Sequence, residues 1–203
     1  HIFTNTETSN TSQAIFEGTM CNSYDVLAVY PGSIWSYQPI WRDSVGESYY
    51  YNVLDIPNVQ TYRENNISRK AVPMVAYKSL DKDKFQGNLE FRNLFGVLAL
   101  NIKGEDKIRA ITMTAKDADG NTMPLSGFAD VKRRESDFYI VRMHNVTADG
   151  MAESGRSSVT LECPDVQLST STPTAFHIAI PPGTYSSFQL IITTAEGKFM
   201  RVK

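Results

Sequence analysis

Three histidines are the first candidates for chemistry, because a positioned imidazole is the commonest general acid or base near neutral pH. His1 is terminal, His144 is predicted in a loop beside Asn145, and His177 lies on the strand face opposite Phe176, Ile178 and Ile180, so it is expected to point outward. None stands in a triad order or a His-x-x-x-His metal pair, and neither a phosphate loop nor Gly-x-Gly-x-x-Gly is present. Asp117, Asp119 and Asn121 begin like a calcium loop, with oxygen ligands on alternate residues. Phe128 stands where the bidentate glutamate would close it, and Asp119-Gly120 between two strands is explained by turn geometry alone. Three Asn-x-Ser/Thr acceptors, at Asn10, Asn66 and Asn145, match a glycan pattern that also arises by chance. The expectation is a chain with no catalytic residues, no metal site and no cofactor.

The aromatic segment competes more seriously for a binding role. Trp35, Tyr37, Trp41, Tyr49, Tyr50 and Tyr51 are interleaved with Ser, Gln and Gly rather than with aliphatic residues. On exposed loops such rings stack on sugars or anchor a partner; at the ends of a β-sandwich they cap the core instead. Both readings stay open from sequence.

At 203 residues the chain can bury a core without covalent staples. Cys21 and Cys163 allow one bridge or two buried thiols, and imply no disulfide framework. Charge is nearly balanced, 20 basic against 22 acidic residues, and Lys132-Arg133-Arg134 is the only basic run, so no nucleic-acid partner is expected. No apolar run approaches the roughly 20 residues that span a bilayer. The chain starts at His1 with no signal-like stretch, so a leader is expected to have been removed or left out.

What must position these residues is β structure. Leu89 to Gly104 is the most apolar stretch: Leu89, Phe91, a run from Leu94 to Leu100, then Ile102. Helical spacing fits Leu94, Val97 and Leu98, but Gly96 in mid-run and the exit through Leu100 and Ile102 into Lys103-Gly104 favour a strand with a fully buried portion. Asp25 to Tyr30 reads as a strand stopped by Pro31-Gly32, and Tyr51 to Ile56 and Ala71 to Tyr77 as short strands with prolines at ends or edges. Lys107 to Thr114 alternates with period two, Asp119-Gly120 turns it back, and strands follow at Phe138 to Arg142, Ser158 to Cys163 and Ala175 to Ile180. Pro181-Pro182-Gly183 suits a type II turn, and Gly197 a left-handed position in the loop between Phe188 to Thr194 and Lys198 to Val202. Short strands at such spacing predict an all-β sandwich or a pair of sandwiches. A polar stretch after Val131 places a domain boundary there, giving residues 1–131 and 132–203.

Taken in order, Phe16 to Thr19, Asp25 to Pro31, Pro73 to Ala76, Leu89 to Gly104, Ile108 to Thr112 and Phe176 to Gly183 resemble the fimbrillin-like family of Bacteroidales, the pilus and surface-adhesin subunits. The resemblance implies transthyretin-like (immunoglobulin-like) β-sandwiches, commonly two in tandem; fewer strands are expected after Val131 than before it, consistent with an incomplete second sandwich or with one merged domain. It also implies export as a lipoprotein, membrane attachment only through an upstream lipid anchor, and display on the outer-membrane surface. In the family, an Arg- or Lys-directed protease removes an N-terminal strand and the groove accepts a strand from the next subunit, which is β-augmentation. Arg42 is the first basic residue here, so any trimming site is expected upstream of His1, and the end at Lys203 suggests a fragment or trimmed form.

The reading is therefore a non-enzymatic fimbrial subunit or adhesin at the cell surface, partnered by other subunits through strand addition and by a host or bacterial surface ligand or glycan. The alternative is a glycan-binding β-sandwich module stacking sugars on Trp35, Trp41 and the Tyr49 to Tyr51 cluster.

Overall fold

The structure, a computed structural model, describes residues 4–5, 16–17, 25–34, 40–44, 47–68, 71–79, 89–133, 139–144 and 155–202. Its strands are β1 (Thr4–Asn5), β2 (Phe16–Glu17), β3 (Asp25–Tyr30), β4 (Ile40–Ser44), β5 (Glu47–Ile56) and β6 (Val59–Thr61). Then come β7 (Met74–Ser79), β8 (Arg92–Asn93), β9 (Gly96–Ile102), β10 (Lys107–Lys116), β11 (Thr122–Met123) and β12 (Ser126–Arg133). The last are β13 (Tyr139–Met143), β14 (Gly155–Arg156), β15 (Ser158–Gln167), β16 (Thr174–Ile180), β17 (Ser187–Thr194) and β18 (Phe199–Val202). A single 3-10 turn, Gly32–Ile34, follows Pro31, and no α-helix occurs among the described residues. The protein is all-β.

Two compact units divide the chain: His1–Ala28 with Ala76–Phe91, and Val29–Val75 with Arg92–Lys203. In the smaller, β1 pairs antiparallel with β2. In the larger, a six-stranded sheet runs β18-β17-β10-β15-β6 with β11 attached to β10, and a separate two-stranded sheet joins β16 to β9. A further sheet runs β13-β12-β5-β4 with β14 on β12. The boundary expected at Val131 falls inside β12, where Val131 is buried, and β10 on one side of it pairs with β15 and β17 on the other.

The core lies between the six-stranded sheet and the β9/β16 pair. Ile111, Met113 and Ala115 of β10, Val159, Leu161 and Cys163 of β15, Ile192 of β17 and Phe176 and Ile178 of β16 form one buried cluster. Ile108 joins the same face although it precedes Ile111 by three residues, because β10 carries one extra residue opposite β17 between Ile108 and Ala110. Such a bulge shifts the alternation by one residue, and the period of two resumes beyond it. The displaced Arg109 pairs with Asp165 at 3.2 Å, with both side chains about half exposed, so the pair contributes little.

One buried polar residue joins the two layers. Gln60 of β6 is only 3 % exposed. Its Nε2 donates to the Ala179 carbonyl at 2.8 Å, and the Ala179 N–H donates to its Oε1 at 2.9 Å. The amide thus takes the place of a neighbouring strand at the outer edge of β16 and satisfies both backbone groups.

Several turns form as their residues dictate. Gly120 (φ 83°) completes the turn between β10 and β11, and Gly197 (φ 81°) the loop between β17 and β18, where the Gly197 N–H donates to the Thr194 carbonyl at 3.0 Å. The Pro181-Pro182-Gly183 turn is a correction: left-handed glycines among the described residues are Gly120, Gly127 and Gly197, and Gly183 is not one of them. Its corner is held instead by the Tyr185 hydroxyl, which donates to the Pro181 carbonyl at 2.6 Å while the ring lies 5.1 Å from that of Phe188.

The stretch from Leu89 to Gly104 is also corrected. Leu94 and Phe95 are buried, but β9 itself begins after them and carries no buried residue; Leu98, Leu100 and Ile102 face the core only in part, and Val97, Ala99 and Asn101 are exposed. The reason is pairing. Among the described residues β9 is bonded to β16 alone, so the run is an edge and not a central strand.

Gln60→Leu is expected to cost about 2 to 5 kcal/mol in urea unfolding, since it strands two buried backbone groups at once. Thr194 offers the contrast: its Oγ1 is buried with no hydrogen-bond partner. Thr194→Val, which removes that hydroxyl at constant shape, is expected to leave stability unchanged or raise it by up to about 1 kcal/mol.

Candidate functional site

Of the aromatic candidates, Trp35 and Tyr37 lie outside the described residues. Trp41, Tyr49, Tyr50 and Tyr51 stand on strands of the β4/β5 hairpin and not on loops, with backbone partners Trp41↔Tyr50, Arg42↔Tyr49 and Ile40↔Tyr51. The sequence pattern hid this because Ser, Gln and Gly between aromatics read as loop residues.

The histidines are not brought together into a catalytic group. His144 follows β13, and its Nε2 lies 2.9 Å from Asp130 Oδ1 of β12, both side chains largely buried. Its N–H donates to the Phe128 carbonyl at 2.8 Å, and the two rings are 6.2 Å apart. Gly155 packs directly on the His144 carbonyl, where a Cβ would collide. His144 is thus fastened into a sheet. His177, expected to point outward, is half-buried on β16, with Nδ1 buried and unpaired. Cys163 is a free, buried thiol whose Sγ lies 3.7 Å from the Leu161 carbonyl, and burial pushes its pKa up to about 12. Cys21 lies outside the described residues.

Asp117 shows what the calcium-like residues do. Its Oδ1 accepts from the Asp119 and Asn121 N–H groups at 3.0 and 2.8 Å, and its Oδ2 from Asn121 Nδ2 at 3.1 Å. The carboxylate serves the turn. These donors, the Asn121 side chain foremost, hold its pKa below the ordinary value. Among the described residues no group of three or more His, Cys, Asp or Glu could hold a metal ion.

What the sheets leave open lies elsewhere. Both backbone groups of Ala179 turn to Gln60, so in the antiparallel ladder Val97, opposite Ala179, directs its own groups away from β16. Ala99 and Asn101 follow by the period of two. Since Gln60 holds the outer edge of β16, β9 lies on the side of β16 away from Gln60, and among the described residues no strand pairs with its other edge.

The six-stranded sheet is uncovered at β18. Met200 and Val202 of β18 stand opposite Ile192 and Leu190, on the face that carries the core, yet they are 55 % and 41 % exposed. Among the described residues, the second edge of β9 and the apolar strip of β18 are thus two features left open, one of backbone groups and one of apolar surface. Sequence reasoning placed a hairpin strand from Lys198 to Val202 but not its exposure, which is not written in a strand's residue types.

Two outcomes check these assignments. Cys163 is expected to resist a thiol reagent in the folded protein at pH 8 and to react on unfolding; prompt reaction of the native Cys163 thiol would refute its burial. A carboxyl with a depressed folded pKa contributes stability above its unfolded pKa, and that contribution disappears as pH falls through the folded one. The stability deficit of Asp117→Ala is therefore expected at pH 7 and to shrink below about pH 4, followed by thermal unfolding. Added calcium is expected to leave the melting temperature unmoved.

No protein-family model, no curated protein and no solved structure matches this chain.

Proposed function

We propose that this protein is a fimbrillin-like structural or adhesive subunit of the cell surface, exported and held at the outer membrane by an upstream lipid anchor, that assembles by accepting a β-strand from a neighbouring subunit. In this reading the larger unit is a transthyretin-like sandwich whose second layer is one strand short. Two open features carry the proposal, the second edge of β9 and the exposed apolar strip of β18, which in this reading border one slot. A strand laid along β9 would pair with the outward groups of Val97, Ala99 and Asn101 and cover Met200 and Val202 in the same act. Backbone pairing supplies affinity that depends little on sequence, and alternate side chains against the apolar strip supply selectivity. An exposed apolar edge is otherwise a liability that folded proteins blunt with charges, prolines or bulges. β9 carries none of these from Gly96 to Ile102.

The test uses Ala99→Pro, which removes an outward N–H and leaves the β9/β16 ladder intact, as edge strands tolerate. Concentrated wild-type protein, followed by negative-stain microscopy and sedimentation, is expected to form chains of subunits, and Ala99→Pro to lose them. Chains that form equally well with Ala99→Pro would sink strand addition at this edge.

The glycan-binding alternative keeps one point in its favour, the facing positions of Trp41 and Tyr50 in the β4/β5 hairpin. On that reading Trp41→Ala abolishes retention on an affinity gel of surface glycans without altering assembly.

A further inference from the structure

The outer edge of β18 is a second unpaired edge, and its residues specify what can pair with it. The Thr194 N–H donates to the Lys198 carbonyl at 2.9 Å, which fixes the phase of the β17/β18 ladder. Hydrogen-bonded and non-bonded positions alternate from there, so Met200 and Val202 turn their backbone groups toward β17, and Phe199 and Arg201 turn theirs outward. No described strand meets them. Phe199 and Arg201 also share the face opposite Met200 and Val202, and Phe199, at 69 % exposure, is the most exposed large apolar side chain among the described residues.

We infer that β18 pairs antiparallel with β18 of a second copy, in the register that places Phe199 of each copy opposite Arg201 of the other. The outward groups belong to Phe199 and Arg201 alone, so only these can form the hydrogen-bonded pairs. Of the registers that allow it, Arg201 opposite Arg201 sets like charges face to face, which is unfavourable. Phe199 opposite Phe199 carries Arg201 past the start of the other strand, to Gly197 in its loop. The remaining register forms two bonded pairs, lays each guanidinium against the other copy's ring, and brings the two Met200 residues together at the two-fold axis. The pattern is self-complementary: one cation and one aromatic, two residues apart, on one face of an open edge. This pairing does not depend on strand addition at β9, because its hydrogen bonds belong to Phe199 and Arg201, on a different edge.

The test sets two substitutions at one position against each other. Sedimentation velocity from micromolar to millimolar protein is expected to show a reversible dimer. Phe199→Lys places like charges opposite Arg201 twice and is expected to weaken the dimer by more than about tenfold. Phe199→Glu places a carboxylate there and is expected to keep the dimer and make it salt-sensitive. Circular dichroism confirms that both variants fold. Met200→Cys, in a Cys21→Ser background, is expected to cross-link into dimers on mild oxidation, since non-bonded antiparallel partners lie about 4.5 Å apart at Cα, within disulfide reach. A wild-type chain that stays monomeric throughout, Lys and Glu variants that behave alike, or a Met200→Cys variant that does not cross-link would each overturn this pairing.

Discussion

The arrangement of the larger unit depends on a side-chain amide standing in for a backbone. A two-stranded sheet is marginal alone, and β9/β16 must be fixed on the six-stranded sheet to bury Phe176 and Ile178. Apolar contact supplies the attraction but not the position, because a hydrophobic face slides with little penalty. Gln60 supplies the position. Its two hydrogen bonds to Ala179 are satisfied only when β6 and β16 stand in one alignment, and a buried amide without them is costly. The ring of Tyr62, two residues on, lies 5.2 Å from that of Phe176 and braces the same junction. From this one contact follows the side on which β9 lies, and hence which edge of the second layer stays open.

The two ends of the six-stranded sheet are finished differently. At β6 the edge is turned inward: the Thr61 N–H reaches Ser68 Oγ at 3.4 Å, the Tyr62 N–H donates to the Glu162 carbonyl at 2.8 Å, and a tight turn from Arg63 to Asn66 follows. At β18 all four residues are exposed and the outer backbone groups meet no described strand. Among the described residues one end of the sheet is thus closed by its own chain and the other is open. Beside β18, Lys198 is engaged by Glu196 at 2.7 Å within the loop and leaves Arg201 as the cation on the strand.

Much of the fold was legible because strands and turns are local. The strand from Lys107, the Asp119-Gly120 turn and the Gly197 loop lie where their residues place them, although the alternation expected from Lys107 to Thr114 is interrupted by the bulge before Ala110. What could not be read is pairing at long range. β6 runs parallel to β15 across about a hundred residues of chain, and nothing in Val59-Gln60-Thr61 announces that its middle residue is buried. The apolar run around β9 misled for the same reason: composition reports the wish to be buried, and neighbours decide whether it is met. The type II turn at Gly183 failed because a tyrosine four residues beyond Pro181 closes that corner instead. The candidate site was the least legible part. An open edge is a missing neighbour, and residue types record only the neighbours that are present.

The period of two lets four residues of β18 serve two purposes without conflict. Met200 and Val202 face the core side, where a strand along β9 would cover them, while Phe199 and Arg201 hold the outward backbone groups and the opposite face. Burying Met200 and Val202 would gain roughly 25 cal/mol per Å² of apolar surface removed from water. Pairing at the outer edge draws on backbone bonds and on the aromatic and cation of the other face. A substitution at Phe199 or Arg201 therefore leaves the apolar strip in place and one at Val202 leaves the outward backbone groups in place, so the two associations can vary separately, with Met200 alone shared between them. That separation needs nothing beyond the pleat, and it would be lost in a helix, where four consecutive residues spread around the axis.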